Sequence, residues 1–415
     1  MTTNLYYNKQ IGKNLVSRED GADVWNDDND GTHTDIHYVL NILGIKYKWT
    51  DSLNDSIPVV NVGSLHHRSD NFSNIIRKSA NKYKKCIILS TQEPWQKDVI
   101  DKYLNLYDNI FLMDCSTNLE DNQYHERYMP FPFLFVKMFS LQQQQTHVFP
   151  HIDYDRQFCL FNCLMANWRA DKHILYSILE YTLSLTKEDS GRVSLVDENI
   201  VTYRAPTFDV GIEPVLKYYR EMDNDFCDFA VEGVSTFKDR LLDRDVEFRN
   251  NIRAHPRYVY DDSCISLICE SMSGSSFESE WDNVFNQPKL TNIDSRAYIT
   301  EKSILPIMNK HPWITYGEVG FHNTMESYGI LPHDELFNLD CDNQPDPVIR
   351  GFEVVQEIIK NDLDYYKEIL SDPQSDTRKK IERNNYVLFN MNSILWKQLK
   401  TQMETYLTKF KDHNG

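Results

Sequence analysis

Thr300-Glu301-Lys302 sets a hydroxyl, a carboxylate and an ammonium side by side where a polar stretch gives way to an apolar-faced helix, Ser303 to Asn309. A lysine in that position presents a compact positive charge to a phosphate or diphosphate. A glutamate beside it can accept two hydroxyl hydrogens, as the diol of a ribose offers. A helix start adds N–H groups that have no partner within the helix and that favour anions. The same three residues also read more plainly, as Thr300 capping the helix and Glu301 facing its dipole. Which reading holds depends on the elements around them.

Those elements are ordered. Cys264 to Cys269 (CISLIC) is an unbroken apolar run, which predicts a buried strand ending at Glu270-Ser271. After the helix come His311-Pro312, a second apolar strand from Trp313 to Tyr316, then Gly317 and a helix near Phe321. Strand, acid, helix start, strand, glycine, helix is the order in which an open α/β sheet assembles a nucleotide site at the carboxyl ends of its strands. A third strand, Gln157 to Leu164, runs into Met165-Ala166-Asn167-Trp168-Arg169 and a helix from Asp171 to Leu183. There Arg169 or Lys172 could supply a second cation; both also read as solvated charges, with Trp168 packed under the sheet.

Taken together, the strand-end acid, Tyr298-Ile299-Thr300-Glu301-Lys302, the later strand and the Ala166-Asn167-Trp168 step resemble the donor domain of the α-1,3-fucosyltransferases and related GT-B glycosyltransferases. With Pro306 in the helix, then His311-Pro312 and Gly317, the likeness is greatest to a phage and marine-microbial branch of such proteins. Two features depart from it: Ser271 stands where the family usually has Asn, and Ser273 to Ser295 forms a long insertion. The resemblance implies an α/β protein of two Rossmann-like domains (GT-B) with a helical C-terminal extension. It implies a nucleoside-diphosphate sugar as donor substrate, no metal and no other cofactor, and transfer with inversion. It places Glu301 on the ribose, Lys302 on the diphosphate and Tyr298 beside the base or ribose. Asn167, Arg169, Lys172, Glu270 and Gly317 complete the implied donor site.

A transfer to a hydroxyl also needs a base. Glu93 is the candidate: it follows the apolar strand Cys86 to Leu89 in a Glu-Pro turn, at a strand end where sites form. It reads equally as a carboxylate at a helix start. His66, His67 and Arg68, after the strand Ile57 to Val62, could also line a cleft. His33, His37, His151 and Asp153 could be drawn as metal ligands but lack a supporting cluster. Asp-x-Asp spacings, such as those at Asp28, Asp153, Asp243 and Asp340, are expected by chance among 62 acidic residues and read as solvated loops. Asn26 to Gly31 begins like a calcium loop, but His37 occupies the position that needs a glutamate.

At 415 residues the chain is long for one core, so two domains and an extension are expected: 1–150, 151–345 and 346–415. Helices are predicted from Thr34 to Leu43 and Asn71 to Tyr83, another to Leu106, and a strand from Asn109 to Met113. The Pro130, Pro132 and Phe131-to-Phe139 stretch reads as the approach to a linker, with the boundary near Gln142 to Pro150. Arg192 to Val196 and Ile200 to Tyr203 are candidate strands, Glu213 to Arg220 and Phe237 to Asn251 candidate helices. Val348 to Leu370 and Arg378 to Phe410 are predicted as two long helices, the last suited either to bracing the first domain or to forming a homodimer.

The net charge of −18 disfavours duplex DNA, whose binding needs clustered cations. Glycan, protein or modified-base acceptors stay open, the last as the substrate of a phage enzyme acting on hydroxymethylated DNA; so does a non-catalytic nucleotide-sugar-binding protein. Mean hydropathy of −0.55, with no apolar run of about 18 residues, argues against a membrane partner. The first residues lack an apolar leader core and the eight cysteines lack a framework spacing, so a cytoplasmic location is expected. Low glycine with abundant Asn, Lys, Asp and Tyr is compatible with a viral gene.

Overall fold

A computed structural model of the chain describes residues 3–6, 35–50, 57–62, 70–90, 95, 97–117, 125–144, 159–163, 174–175, 177–179, 181–182, 201–202, 258–261, 263–270 and 297–413. The chain divides into two compact units. One comprises Met1–Gln145, Tyr298–Glu301 and Asn390–Gly415; the other comprises Thr146–Ala297 and Lys302–Phe389.

The first unit carries a six-stranded sheet in the order β2-β1-β3-β4-β5-β6, with every neighbouring pair parallel. Its strands are β1 (Thr3–Tyr6), β2 (Tyr47–Thr50), β3 (Ile57–Asn61), β4 (Cys86–Leu89), β5 (Ile110–Asp114) and β6 (Tyr128–Pro130). β4 and β5 are buried at every residue, as strands covered on both faces must be. The connecting helices are α1 (Asp35–Ile42), α2 (Asp70–Lys82), α3 (Lys97–Leu106) and α4 (Phe133–Gln144). α2 buries Phe72, Ile75, Ile76 and Ser79, the spacing of one helical face. α1 ends at Gly44, whose φ of 63° lets the chain turn while Ile45 N–H reaches the Leu40 carbonyl. The stretch read as a linker approach is corrected: Phe133, Phe135, Val136 and Phe139 are buried on α4. Pro132 immediately precedes that helix, where a proline fits, so it starts the helix and does not disrupt it.

The second unit carries a four-stranded parallel sheet in the order β10-β9-β7-β8. Its strands are β7 (Cys159–Cys163), β8 (Val201–Thr202), β9 (Ser263–Cys269) and β10 (Trp313–Tyr316). Its helices are α5 (Tyr258–Asp261), α6 (Glu301–Met308), α7 (Phe321–Ser327), α8 (Pro347–Ile359), α9 (Leu363–Ser371) and α10 (Asp376–Phe389). One core joins Phe161, Ile265, Leu267 and Ile314 from the sheet to Val354, Val355 and Ile358 of α8 and Leu370 of α9.

The C-terminal region is helical, but in four pieces instead of two. Asp362 accepts the Tyr365 N–H at 2.9 Å and so begins α9 afresh after α8. Asn390 Oδ1 accepts the Asn392 N–H at 3.0 Å, and that side-chain turn separates α10 from α11 (Ile394–Asp412). α11 then packs on the first unit. Trp396 lies 4.7 Å from Phe139, Phe410 lies 4.9 Å from Phe111, and Lys85 Nζ donates to the carbonyls of Phe410, Lys411 and His413 at its end. Two parallel α/β sheets with a helical C-terminal region are the architecture expected from the sequence. Among the described residues no helix is long and apolar enough to cross a membrane. The candidate elements Arg192 to Val196, Glu213 to Arg220 and Phe237 to Asn251 lie outside the described residues.

Candidate functional site

β9 is buried along its whole length, and its hydrogen bonding to β10 continues one residue further: Glu270 N–H donates to the Tyr316 carbonyl at 3.0 Å. That bond fixes Glu270 at the carboxyl edge of the sheet. Its side chain is wholly buried. One oxygen accepts the Ser303 hydroxyl, and the other lies 3.5 Å from Lys302 Nζ. Lys302 and Ser303 are the second and third residues of α6, so the start of that helix meets the end of β9 through a carboxylate. Pro306 adds to the local arrangement, because it has no N–H to offer the Lys302 carbonyl four residues earlier.

Gly317 follows β10 on the side of Glu270. A Cβ there would stand 3.2 Å from Thr315 Cγ2, 3.4 Å from Phe321 Cδ2 and 3.5 Å from Glu270 Cβ, so glycine permits the close approach of α7 and β9. The adjacent Glu318 is also buried.

Of the sequence-assigned residues, the structure brings together Glu270, Lys302 and Gly317. Tyr298 and Thr300 are buried; Glu301 opens α6, and its side chain lies outside the described residues. Glu93, Asn167, Arg169 and Lys172 also lie outside them, as do His66, His67 and Arg68. Ser303 and Glu318 were missed by the sequence reading. A hydroxyl at the third helical position, following a strand-end acid, was the signal available for Ser303.

The other buried polar groups of the second unit brace its own sheet and the segments packed on it. His322 Nε2 accepts the Thr315 N–H at 3.2 Å, while its Nδ1 donates to Asp342 Oδ1 at 2.9 Å. Asp342 Oδ2 also accepts the His322 backbone N–H at 3.0 Å, and the imidazole stacks on Trp313. The reading of Asp340-Cys341-Asp342 as a solvated loop is therefore corrected at Asp342, which is buried because it orients His322. Deeper in the sheet, His311 Nε2 donates to the Ser263 carbonyl at 2.6 Å and Nδ1 accepts the Ser266 hydroxyl at 2.8 Å. Asn162 on β7 donates to Ser263 Oγ and Ser266 Oγ, both on β9, tying the two strands together. Burial pushes His311 down to about 4 and lowers His333 as well.

Arg350 is buried near the candidate site, but its guanidinium faces the Tyr316 ring and donates to the carbonyls of Gln344 and Pro345. In the first unit, Asp114 ends β5 as a buried carboxylate that accepts the Trp95 N–H at 2.7 Å, the Ser116 N–H and hydroxyl, and the Tyr128 hydroxyl. It fixes the main chain two residues past Glu93. Among the described residues, no group of three or more His, Cys, Asp or Glu side chains could hold a metal.

Comparisons of the chain with protein-family models, curated proteins and solved structures give no match. The fold and site thus define an α/β protein of two parallel sheets whose second sheet carries an acid–lysine–serine cluster at its carboxyl edge.

Proposed function

We propose that the chain is a glycosyltransferase of the GT-B kind, moving a sugar from a nucleoside diphosphate to a hydroxyl acceptor without a metal. The observation that carries this reading is the meeting of Glu270, Lys302, Ser303 and Gly317 at the carboxyl ends of two adjacent parallel strands, where α/β sheets bind ligands. On this reading Lys302 and the first-turn amides of α6 stabilise the departing diphosphate, and Glu301 takes the ribose. Glu93, the carboxylate assigned from the sequence, is the base that receives the acceptor hydroxyl proton.

A second reading has its own support. Lys302 is matched by a buried carboxylate, as a structural lysine would be, which favours a non-catalytic protein that binds a nucleotide sugar or only keeps the fold. A thermal-shift titration with UDP, GDP, ADP, CDP and dTDP and their sugars, run beside Lys302→Ala, separates the two. Stabilisation by one nucleotide, lost in the variant, supports a donor site; turnover of its sugar then selects the enzyme. No stabilisation by any of them removes the donor site from both readings.

A further inference from the structure

Lys302 does not stand open to an incoming anion. Its side chain is only 12% exposed, and the nearest acid, Glu270, is 0% exposed. The separation of 3.5 Å is an ion pair longer than a good N–H···O hydrogen bond, so the two groups act on each other chiefly through their charges. Glu270 cannot swing away: its backbone is bonded to Tyr316, its side chain is wholly buried, and its other oxygen holds Ser303. A carboxylate held rigidly beside the phosphate lysine attracts that lysine and repels the phosphate.

We infer that Glu270 is a fixed counter-ion that weakens diphosphate binding at Lys302, so that a nucleoside diphosphate released by the reaction leaves the site readily. The inference rests on the donor-site reading of Lys302. Its physical content is separate: one unit of negative charge lies within the field that a diphosphate must enter. Neutralising that charge without changing shape strengthens diphosphate binding. The expected gain is about tenfold, the effect of a like charge about 6 Å away at an effective dielectric constant of about 40. In an enzyme, tighter binding of the leaving diphosphate slows turnover and makes product inhibition more severe.

The experiment measures binding of inorganic pyrophosphate, and of the nucleoside diphosphate that stabilises the protein best, by calorimetry on the full chain. The variants are Glu270→Gln, Lys302→Ala and their combination. About tenfold tighter binding to Glu270→Gln, abolished when Lys302→Ala is added, supports the inference. Unchanged or weaker binding to a folded Glu270→Gln overturns it. Where Glu270→Gln fails to fold, Glu270→Asp decides: withdrawing the carboxylate by one methylene tightens binding if the inference holds, and unchanged or weaker binding overturns it. The two readings fail differently. Lys302-dependent nucleotide binding without tightening in the variant sinks only the counter-ion. Pyrophosphate binding that appears only in Glu270→Gln keeps the counter-ion and sinks the nucleotide donor site. No binding in any form sinks both.

Discussion

Tyr406 donates its hydroxyl to the Leu112 carbonyl at 2.8 Å, joining α11 to β5 across 294 residues of sequence. The phenol is wholly buried, and that burial pushes its ionisation well above the ordinary tyrosine range, so it remains a donor. Phe111 lies edge-on to both Tyr406 and Phe410, and Gln402 donates to the Pro130 carbonyl at 2.7 Å. The last helix is therefore part of the first unit's core and covers the β5–β6 side of its sheet. Tyr406→Phe is expected to cost about 1 kcal/mol by removing one buried hydrogen bond. Trp396→Ala, which removes the partner of Phe139, is expected to cost about 3–5 kcal/mol. Urea denaturation followed by far-ultraviolet circular dichroism checks both; wild-type midpoints in the two variants would remove the bracing role.

Edge strands leave N–H groups without partners, and β10 is an edge strand of the second sheet. His322 Nε2 meets one of them, at Thr315, because Asp342 holds the proton on Nδ1. His322→Phe keeps a ring over Trp313 but removes both nitrogens, and is expected to cost about 2–4 kcal/mol. Asp342→Asn keeps an oxygen for one of the two His322 N–H groups but sets its NH2 against the other, and is expected to cost about 1–3 kcal/mol. Chemical denaturation of the two variants supplies the test. A His322→Phe protein within about 0.5 kcal/mol of wild type would show that the imidazole does not satisfy the edge.

Much of this architecture is legible in the sequence where burial writes continuous apolar runs. β4, β5, β9 and β10 are such runs, and the first turn of α6 follows Thr300 as its composition predicts. Legibility fails where the deciding partner is distant. Nothing local to Asp342 distinguishes it from a solvated acid; its burial depends on His322, 20 residues earlier. Ser303 becomes part of the site only because Glu270, 33 residues before it, ends the neighbouring strand. β1 has the mixed sequence TNLY and carries no alternation of its own; pairing with β2 and β3 makes it a strand. Helix breaks at Asp362 and Asn390 were open to reading, since both are capping or turn residues, but the helical periodicity on either side masks them.

The buried histidines of the second unit make its stability depend on acid. His311 is enclosed, with both nitrogens used while neutral, and burial takes it from about 6.5 to about 4. His333 is lowered in the same direction, again by burial, against the opposing pull of Glu335. A depressed histidine means that the unfolded chain binds the proton more readily than the folded one. The folded state thus has its full stability above pH ~6.5 and loses it as pH falls towards ~4. For His311 alone the loss across that window is roughly 3 kcal/mol. Unfolding free energies from urea denaturation are expected to be flat between pH 8 and 7 and then to fall steadily to pH 4.5, by ~2–3 kcal/mol from His311. His311→Gln, which offers an amide N–H to the Ser263 carbonyl and an oxygen to the Ser266 hydroxyl but does not titrate, should start lower at neutral pH and lose less on acidification. An identical acid slope in that variant would assign the loss to other groups.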